Sequence, residues 1–322
     1  MAFTLADYQQ QAPKMLNKAV IKTLREASPL MNTLPFPTTG TKTVQSVRVR
    51  TRPTAAWRRI GEDHSTSKGG YDLVQDTAFS LGLYIDVDVA LSKDSNKLYD
   101  PRVEWSKQAV EAVAFAFNDS FINGHPITEP DGLTGLHYRL QEDLASTQQL
   151  AAGSLDISPD GATLSATCQT FLDKLDQLIY MMPQHKADVL LMNDTMLMRY
   201  WSLARQSGYL KVTTDNLGRE FMEYKGAKFF DIGYKSDDST RIITNAESLT
   251  VPATLTGGTG TSIYALRLGG EYATGFQQYP LRTLDKGELE DGVTERTVVD
   301  WVVGLSVTHP KSVARLYGLI AA

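Results

Sequence analysis

Residues 100–124 read DPRVEWSKQAVEAVAFAFNDSFING, and residues 130–136 read PDGLTGL. Asp100 can accept backbone N–H bonds as an N-cap, and Pro101 is pre-set for a first helical turn. Val103, Val110, Val113, Ala114, Phe117 and Phe121 recur at helical spacing, which predicts one helix running to Asn123-Gly124, where glycine suits a left-handed C-terminal position. Such a helix of about 22 residues is roughly 33 Å long at 1.5 Å per residue, a beam through the whole fold. Phe117 and Phe121, spaced i to i+4, share its inner face and are assigned to core packing, together with Trp301 on a later strand.

Upstream of the beam the period changes from helical to alternating. From Thr41 to Pro53, Val47 and Val49 point one way while Arg48, Arg50 and Arg52 point the other. Leu81, Leu83, Ile85, Val87, Val89 and Leu91 form an aliphatic face with Tyr84, Asp86 and Asp88 opposite. Between them, Ala55 to Gln75 is rich in charge, Gly, Ser and Thr. These segments predict a long two-stranded flap with a loop at its tip, Arg48, Arg50 and Arg52 facing Asp86 and Asp88 across it or across a subunit boundary. Further upstream, Met15, Leu16, Ala19, Val20, Thr23 and Leu24 predict a short helical arm between Ala6 and Met31, ending against Ser28-Pro29. Lys14, Lys18, Lys22 and Arg25 share one side of that arm, and Leu16, Val20 and Leu24 another.

Downstream, Leu164, Cys168, Phe171, Leu172, Leu175, Leu178 and Ile179 predict a helix. Val189–Met192 is a buried strand, followed by a helix from Thr195 to Gln206 capped by Asn193-Asp194. Short strands are expected at Lys228–Ile232, Arg241–Thr244 and Ser262–Leu268, then a long apolar strand at Val293–Thr308 and a short one at Val313–Leu319. This order gives an α+β fold with segregated helices and a mixed or antiparallel sheet.

The chain has 322 residues, 42% of them hydrophobic and 21% charged, which excludes disordered, collagen-like and disulfide-stapled classes. Its net charge of -5 hides an asymmetry. Through Ile60 there are ten basic and two acidic residues, leaving 22 basic against 35 acidic in the remainder. A basic arm or flap meeting an acidic surface, most simply on another copy, follows from that split. The single cysteine excludes an intramolecular disulfide and a Cys-rich zinc site. Neither a signal peptide nor a membrane-spanning run is read in the sequence.

Catalytic templates fail one after another. There is no phosphate-binding G-x-x-x-x-G-K-[ST], no G-x-S-x-G, no H-E-x-x-H, and no G-x-G-x-x-G after a strand; Gly257-Gly258-Thr259-Gly260 precedes a strand and reads as a loop tip. His64, His125, His137, His185 and His309 show no ligand spacing. Asp86 and Asp88 on one strand face are explained by pairing with arginines, and Cys168, on an apolar stripe, by burial. The arginine row lacks the interleaved aromatics of a nucleic-acid platform, so protein contact is favoured over nucleic acid.

The order of these segments is similar to the major capsid proteins of tailed bacteriophages, of the Hong Kong ninety-seven fold. The likeness rests on the basic arm, the flap, the helix ending in Phe121-Ile122-Asn123-Gly124, the Pro130–Leu136 junction, Leu190–Asn193 with its helix, and Val298–Val307 followed by His309-Pro310-Lys311-Ser312. It implies an N-terminal arm (1–40), an E-loop hairpin (41–98), a spine helix and P-domain (99–163), an A-domain with mixed sheet and helices (164–285), a P-domain return strand (286–301) and an A-domain return (302–322). It further implies self-assembly into hexamers and pentamers of an icosahedral head around double-stranded DNA, without turnover chemistry or cofactor. The implied setting is the virion, and the host cytoplasm during assembly. A separate scaffolding protein, a portal and a decoration protein are the implied partners, with at most non-specific DNA contact by an inward-facing arm. Lys68 could occupy the lysine position of the family's isopeptide cross-link, but Asp291-Gly292 replaces the asparagine region and no Asn follows Asn245, which argues against that bond. Two other readings stand beside this one: an encapsulin nanocompartment of the same fold, and an α+β enzyme acting through Asp86 and Asp88.

Overall fold

The computed structural model describes residues 23–24, 28–92, 101–144, 146–157, 164–207, 212–214, 220–237, 239–247 and 260–321. Lys14, Lys18, Lys22 and Arg25 lie outside the described residues, as does the loop before Gly260. Where the arm helix was expected to end, Ser28 instead caps a short turn of helix, Pro29–Thr33, accepting from the Met31 N–H at 3.4 Å. Leu30, Met31, Leu34 and Phe36 follow into the core, so this stretch is packed against the body.

Strands β1 (Thr43–Thr51) and β2 (Gly70–Thr77) form the flap, paired antiparallel with Val47 opposite Leu73 and Val49 opposite Tyr71. Strand β3 (Phe79–Asp88) is not the second flap strand that the sequence suggested. Its alternation is as read, with Ile85 and Val87 buried and Tyr84, Asp86 and Asp88 outward, but it turns away and pairs with a distant strand. Alternation fixes which face is buried and leaves the partner open.

Helix α1 (Pro101–Asn123) is the beam. Its end is tight for a reason other than a left-handed glycine: Gly124 is absent from the positive-φ residues. A Cβ at Gly124 would lie 2.0 Å from the Leu133 carbonyl oxygen, and one at Gly135 would lie 2.5 Å from the Gly124 nitrogen. The chain doubles back at van der Waals contact there, with the Gly135 N–H donating to the Gly124 carbonyl at 2.8 Å.

Strand β4 (Gln149–Asp156) precedes helix α2 (Leu164–Tyr180), strand β5 (Val189–Met192) and helix α3 (Asp194–Ser207). Asn193 caps α3, its Oδ1 accepting from the Met196 N–H at 2.9 Å. Asp194, in the first turn, receives the Arg241 guanidinium at 2.5 and 3.0 Å and the Tyr234 hydroxyl at 2.6 Å. Strands β6 (Val212–Thr214), β7 (Glu220–Tyr224), β8 (Ala227–Asp231) and β9 (Thr261–Leu266) lead to two long strands, β10 (Ala273–Glu288) and β11 (Thr294–Val307), and the terminal β12 (Val313–Ile320). Arg241–Thr244, expected as a strand, contributes only an isolated bridge between Tyr234 and Arg241.

Two larger sheets result, a three-stranded one in the order β10-β11-β3 and a seven-stranded one in the order β4-β12-β9-β5-β8-β7-β6. α1 lies on the first, where Phe117, Phe121 and Trp301 are all fully buried. Phe117 and Trp301 are 5.3 Å apart between ring centroids, Phe117 and Phe121 5.9 Å, and Phe36 closes the group at 5.8 Å from Phe117 and 5.3 Å from Trp301. α2 and α3 cover the second sheet with Phe171, Leu175, Leu178, Tyr200 and Leu203. Cys168 belongs to this second core.

Candidate assembly surface

The flap has one apolar face that no described residue covers. Val47, Val49, Tyr71 and Leu73, two cross-strand pairs, are 59%, 49%, 69% and 66% exposed. At the tip, Trp57 and Ile60 are fully exposed among the described residues. Arg58 there donates to the His64 Nε2 at 2.9 Å and to the Glu62 carbonyl at 3.0 Å, and Gly61 turns the chain at φ +97°. A two-stranded ribbon is marginal by itself, and contiguous exposed apolar side chains mark a protein contact.

The other face of the flap's root is bolted to the body by four charged groups. Arg48, only 7% exposed, donates through Nε and Nη2 to the Val307 carbonyl at 3.1 and 2.5 Å and pairs with Asp143 at 3.1 Å. From β2, Asp76 accepts from the Arg139 Nη2 at 2.7 Å, both side chains being almost fully buried. Arg139 also donates to the Leu305 and Thr134 carbonyls, each at 3.0 Å. A single π-helical turn, Arg139–Asp143, presents Arg139 and Asp143 together, and such turns recur at functional positions. Both flap strands are thus fixed to β11 and to the turn that follows α1.

The five residues expected to form one contact separate into three environments. Arg48 is consumed inside its own chain. Arg50 reaches Asp72 only at 3.8 Å with both side chains exposed, while Arg52 is exposed without a described partner. Asp86 is on the other sheet, held by Arg296 with two contacts of 2.7 Å, and that guanidinium keeps the Asp86 carboxyl below its usual range. Asp88 accepts from the Ala90 N–H at 2.7 Å. Arg48, Arg50 and Arg52 therefore do not face Asp86 and Asp88 within the chain, because β2 supplies the acidic residues opposite the arginine strand. The sequence reading missed Asp76, Arg139 and Asp143; the one signal was an aspartate at the inward-facing end of a strand.

Among the described residues no cluster of three or more His, Cys, Asp or Glu could hold a metal ion, and no helix is long and apolar enough to cross a membrane. His137 is enclosed between the Tyr264 hydroxyl at 3.1 Å and the Gln141 amide at 2.6 Å, and burial followed by the nearby Arg315 charge pulls its pKa down to about 4. It joins the α1 junction to the seven-stranded sheet as a neutral polar bridge.

Comparison with solved structures decides what this architecture is. The encapsulin of the holo-SrpI complex from Synechococcus elongatus superposes with a TM-score of 0.62 at 14% identity, covering 91% of this chain and 88% of that one. The fold is the Hong Kong ninety-seven shell fold. A structure from Microbacterium phage Oxtober96 shares it at a TM-score of 0.58, with 12% identity and 90% of each chain covered. So does the capsid of a native GTA particle, at 0.56 and 15% identity, over 90% of this chain and 89% of that one. In sequence, the Major capsid protein GP7 family matches residues 12–165, just under half of the chain. No curated protein sequence matches. The likeness to phage major capsid proteins read from the sequence is borne out, and the shell proteins that share the fold are structural.

Proposed function

We propose that this chain is the major capsid protein of a tailed phage, assembling through its flap into hexamers and pentamers that close around double-stranded DNA. The observation that carries this reading is the flap: an apolar face and an uncovered Trp57 and Ile60, held out at a root fixed by Arg48 and Asp76. An exposed apolar face of this kind is buried when a second copy covers it. The division into arm, E-loop, spine, P-domain and A-domain belongs to this reading, with the E-loop hairpin confined to β1 and β2 because β3 pairs with β11. So do a separate scaffolding protein, a portal, a decoration protein, and an inward basic arm of Lys14, Lys18, Lys22 and Arg25 that meets protein before DNA.

Negative-stain microscopy with analytical ultracentrifugation of purified protein tests it. Rings of five and six subunits or closed particles are expected, and a small uniform oligomer would overturn the reading. The encapsulin alternative is favoured by the 0.62 TM-score of the encapsulin comparison. Particle contents separate the two: nuclease-protected DNA in virions supports the capsid, and co-purifying cargo protein in particles made by a cell supports the nanocompartment.

A further inference from the structure

Between the root of the flap and the rim of the seven-stranded sheet runs a groove of about 730 Å³. One wall is Val47–Arg50 with Arg52; the other is made by the turn after α2, residues 180–185, and the turn between β11 and β12, residues 308–311. Arg267 builds the second wall: its guanidinium stacks on Tyr272 at 4.1 Å, donates to the Gln184 Oε1 at 2.7 Å and is bonded to the Pro183 carbonyl. Arg50, Arg52 and Lys311 bring positive charge to this space, and Glu271 is the one carboxylate among its described lining residues. Neither Arg52 nor Lys311 has a described side-chain partner, in contrast to Arg48 beside them. His309 senses the imbalance, since burial and then Lys311, Arg52 and Arg267, with no carboxylate among its perturbers, hold its pKa below the usual value.

We propose that this groove seats an acidic edge of a second copy of this chain. The inference rests on the shell reading and adds the place where the neighbour enters. Charge complementarity selects the occupant, because the chain beyond Ile60 carries 35 acidic against 22 basic residues. The half-exposed Val47 and Val49 on the flap wall suit a protein edge that buries aliphatic surface while its carboxylates reach Arg52 and Lys311. A nucleic acid would use a basic stripe open to a backbone, whereas here the cations sit between two walls with Glu271 among them.

The test pairs an assembly assay with a positional probe. Arg52→Glu with Lys311→Glu should leave the unassembled subunit melting with the wild type, since neither side chain has a described partner to lose, while the yield of capsomers and particles falls at least about tenfold. The milder Arg52→Gln, Lys311→Gln pair should assemble with a shallower dependence on salt than the wild type. A benzophenone amino acid at position 311 should cross-link to Asp- and Glu-rich peptides of another copy, identified by mass spectrometry of mixed isotope-labelled subunits. Wild-type shells accompanied by normal yield from the Glu pair, or cross-links confined to the same chain or to DNA, overturn the groove and leave the shell reading standing. Wild-type protein that never passes a small oligomer overturns both.

Discussion

The buried pair at the flap root is open to a quantitative test. Arg139 and Asp76 are 6% and 4% exposed in their side chains, and removing one member of a buried pair strands the other, which costs about 3 to 5 kcal/mol. The two losses should differ. Asp76→Ala leaves the guanidinium with the Leu305 and Thr134 carbonyls and with Asp143 at 3.7 Å, so about 3 kcal/mol is expected. Arg139→Ala leaves Asp76 buried, with its Oδ2 already unbonded, and belongs at about 5 kcal/mol. Urea denaturation of the unassembled subunit measures both, and the double variant should cost less than the sum by at least about 1.5 kcal/mol, the coupling expected of groups in direct contact. Asp76→Asn keeps an acceptor for Arg139 and should fall between wild type and alanine. Losses below about 1 kcal/mol for both alanine variants, or strict additivity, would refute the claim that this pair fixes the flap.

Other expectations follow from the same geometry. Arg48→Ala should destabilise the subunit by about 2 to 4 kcal/mol, chiefly through the Val307 carbonyl that loses two buried donor contacts, since Asp143 keeps Arg139 at 3.7 Å, whereas Arg50→Ala, at an exposed 3.8 Å pair, should change it by less than about 1 kcal/mol; equal effects in denaturation would contradict the split environments. Phe117→Ala removes a fully buried ring from the Phe36, Phe121 and Trp301 group and should cost about 3 to 5 kcal/mol, and a melting point within a degree or two of wild type would misplace the helix face. The Asp194 carboxyl is lowered to about 2, first by Arg241 and with help from Tyr234 and the Thr195 N–H, against about 3.9 unfolded. Its contribution is whole above pH of about 4 and is lost as pH falls toward about 2, so the urea midpoint should drop more steeply over that window in wild type than in Asp194→Asn, and parallel curves would be the contrary result.

What could be read from the residues depended on whether the signal was local. The beam was legible because Val110, Val113, Phe117 and Phe121 repeat at helical spacing, and so was the strand-to-helix unit with Asn193 as cap. Strand β2 was read as loop because Gly70, Asp72 and Gln75 dilute its alternation, which a strand mostly exposed away from the flap's root does not need to keep. Strand β10 went unread for a related reason: Gly275, Pro280 and Gly287 interrupt it, and its pairing with β11 shifts register at Gln277/Tyr279, Tyr279/Arg282 and Asp285/Gly287, bulges of the kind that admit proline and glycine. Pairing partners were beyond reach altogether. Nothing near Asp76 names Arg139, 63 positions later, and nothing near Asp86 names Arg296.

The sheet order β10-β11-β3 also sets a timetable. Asp86 waits for Arg296, 210 positions further on, and Arg48 waits for the Val307 carbonyl, 259 positions further on. At a synthesis rate of about 5 to 20 residues per second the first interval alone is roughly 10 to 40 s. During that time a ribosome-bound chain has a flap sequence without the backbone that anchors it. Its apolar ribbon cannot be presented at a working angle until translation has passed Val307, so unfinished chains do not offer neighbours a finished docking arm. On the shell reading, docking of the flap on a neighbour is therefore expected only after the chain has been made through Val307.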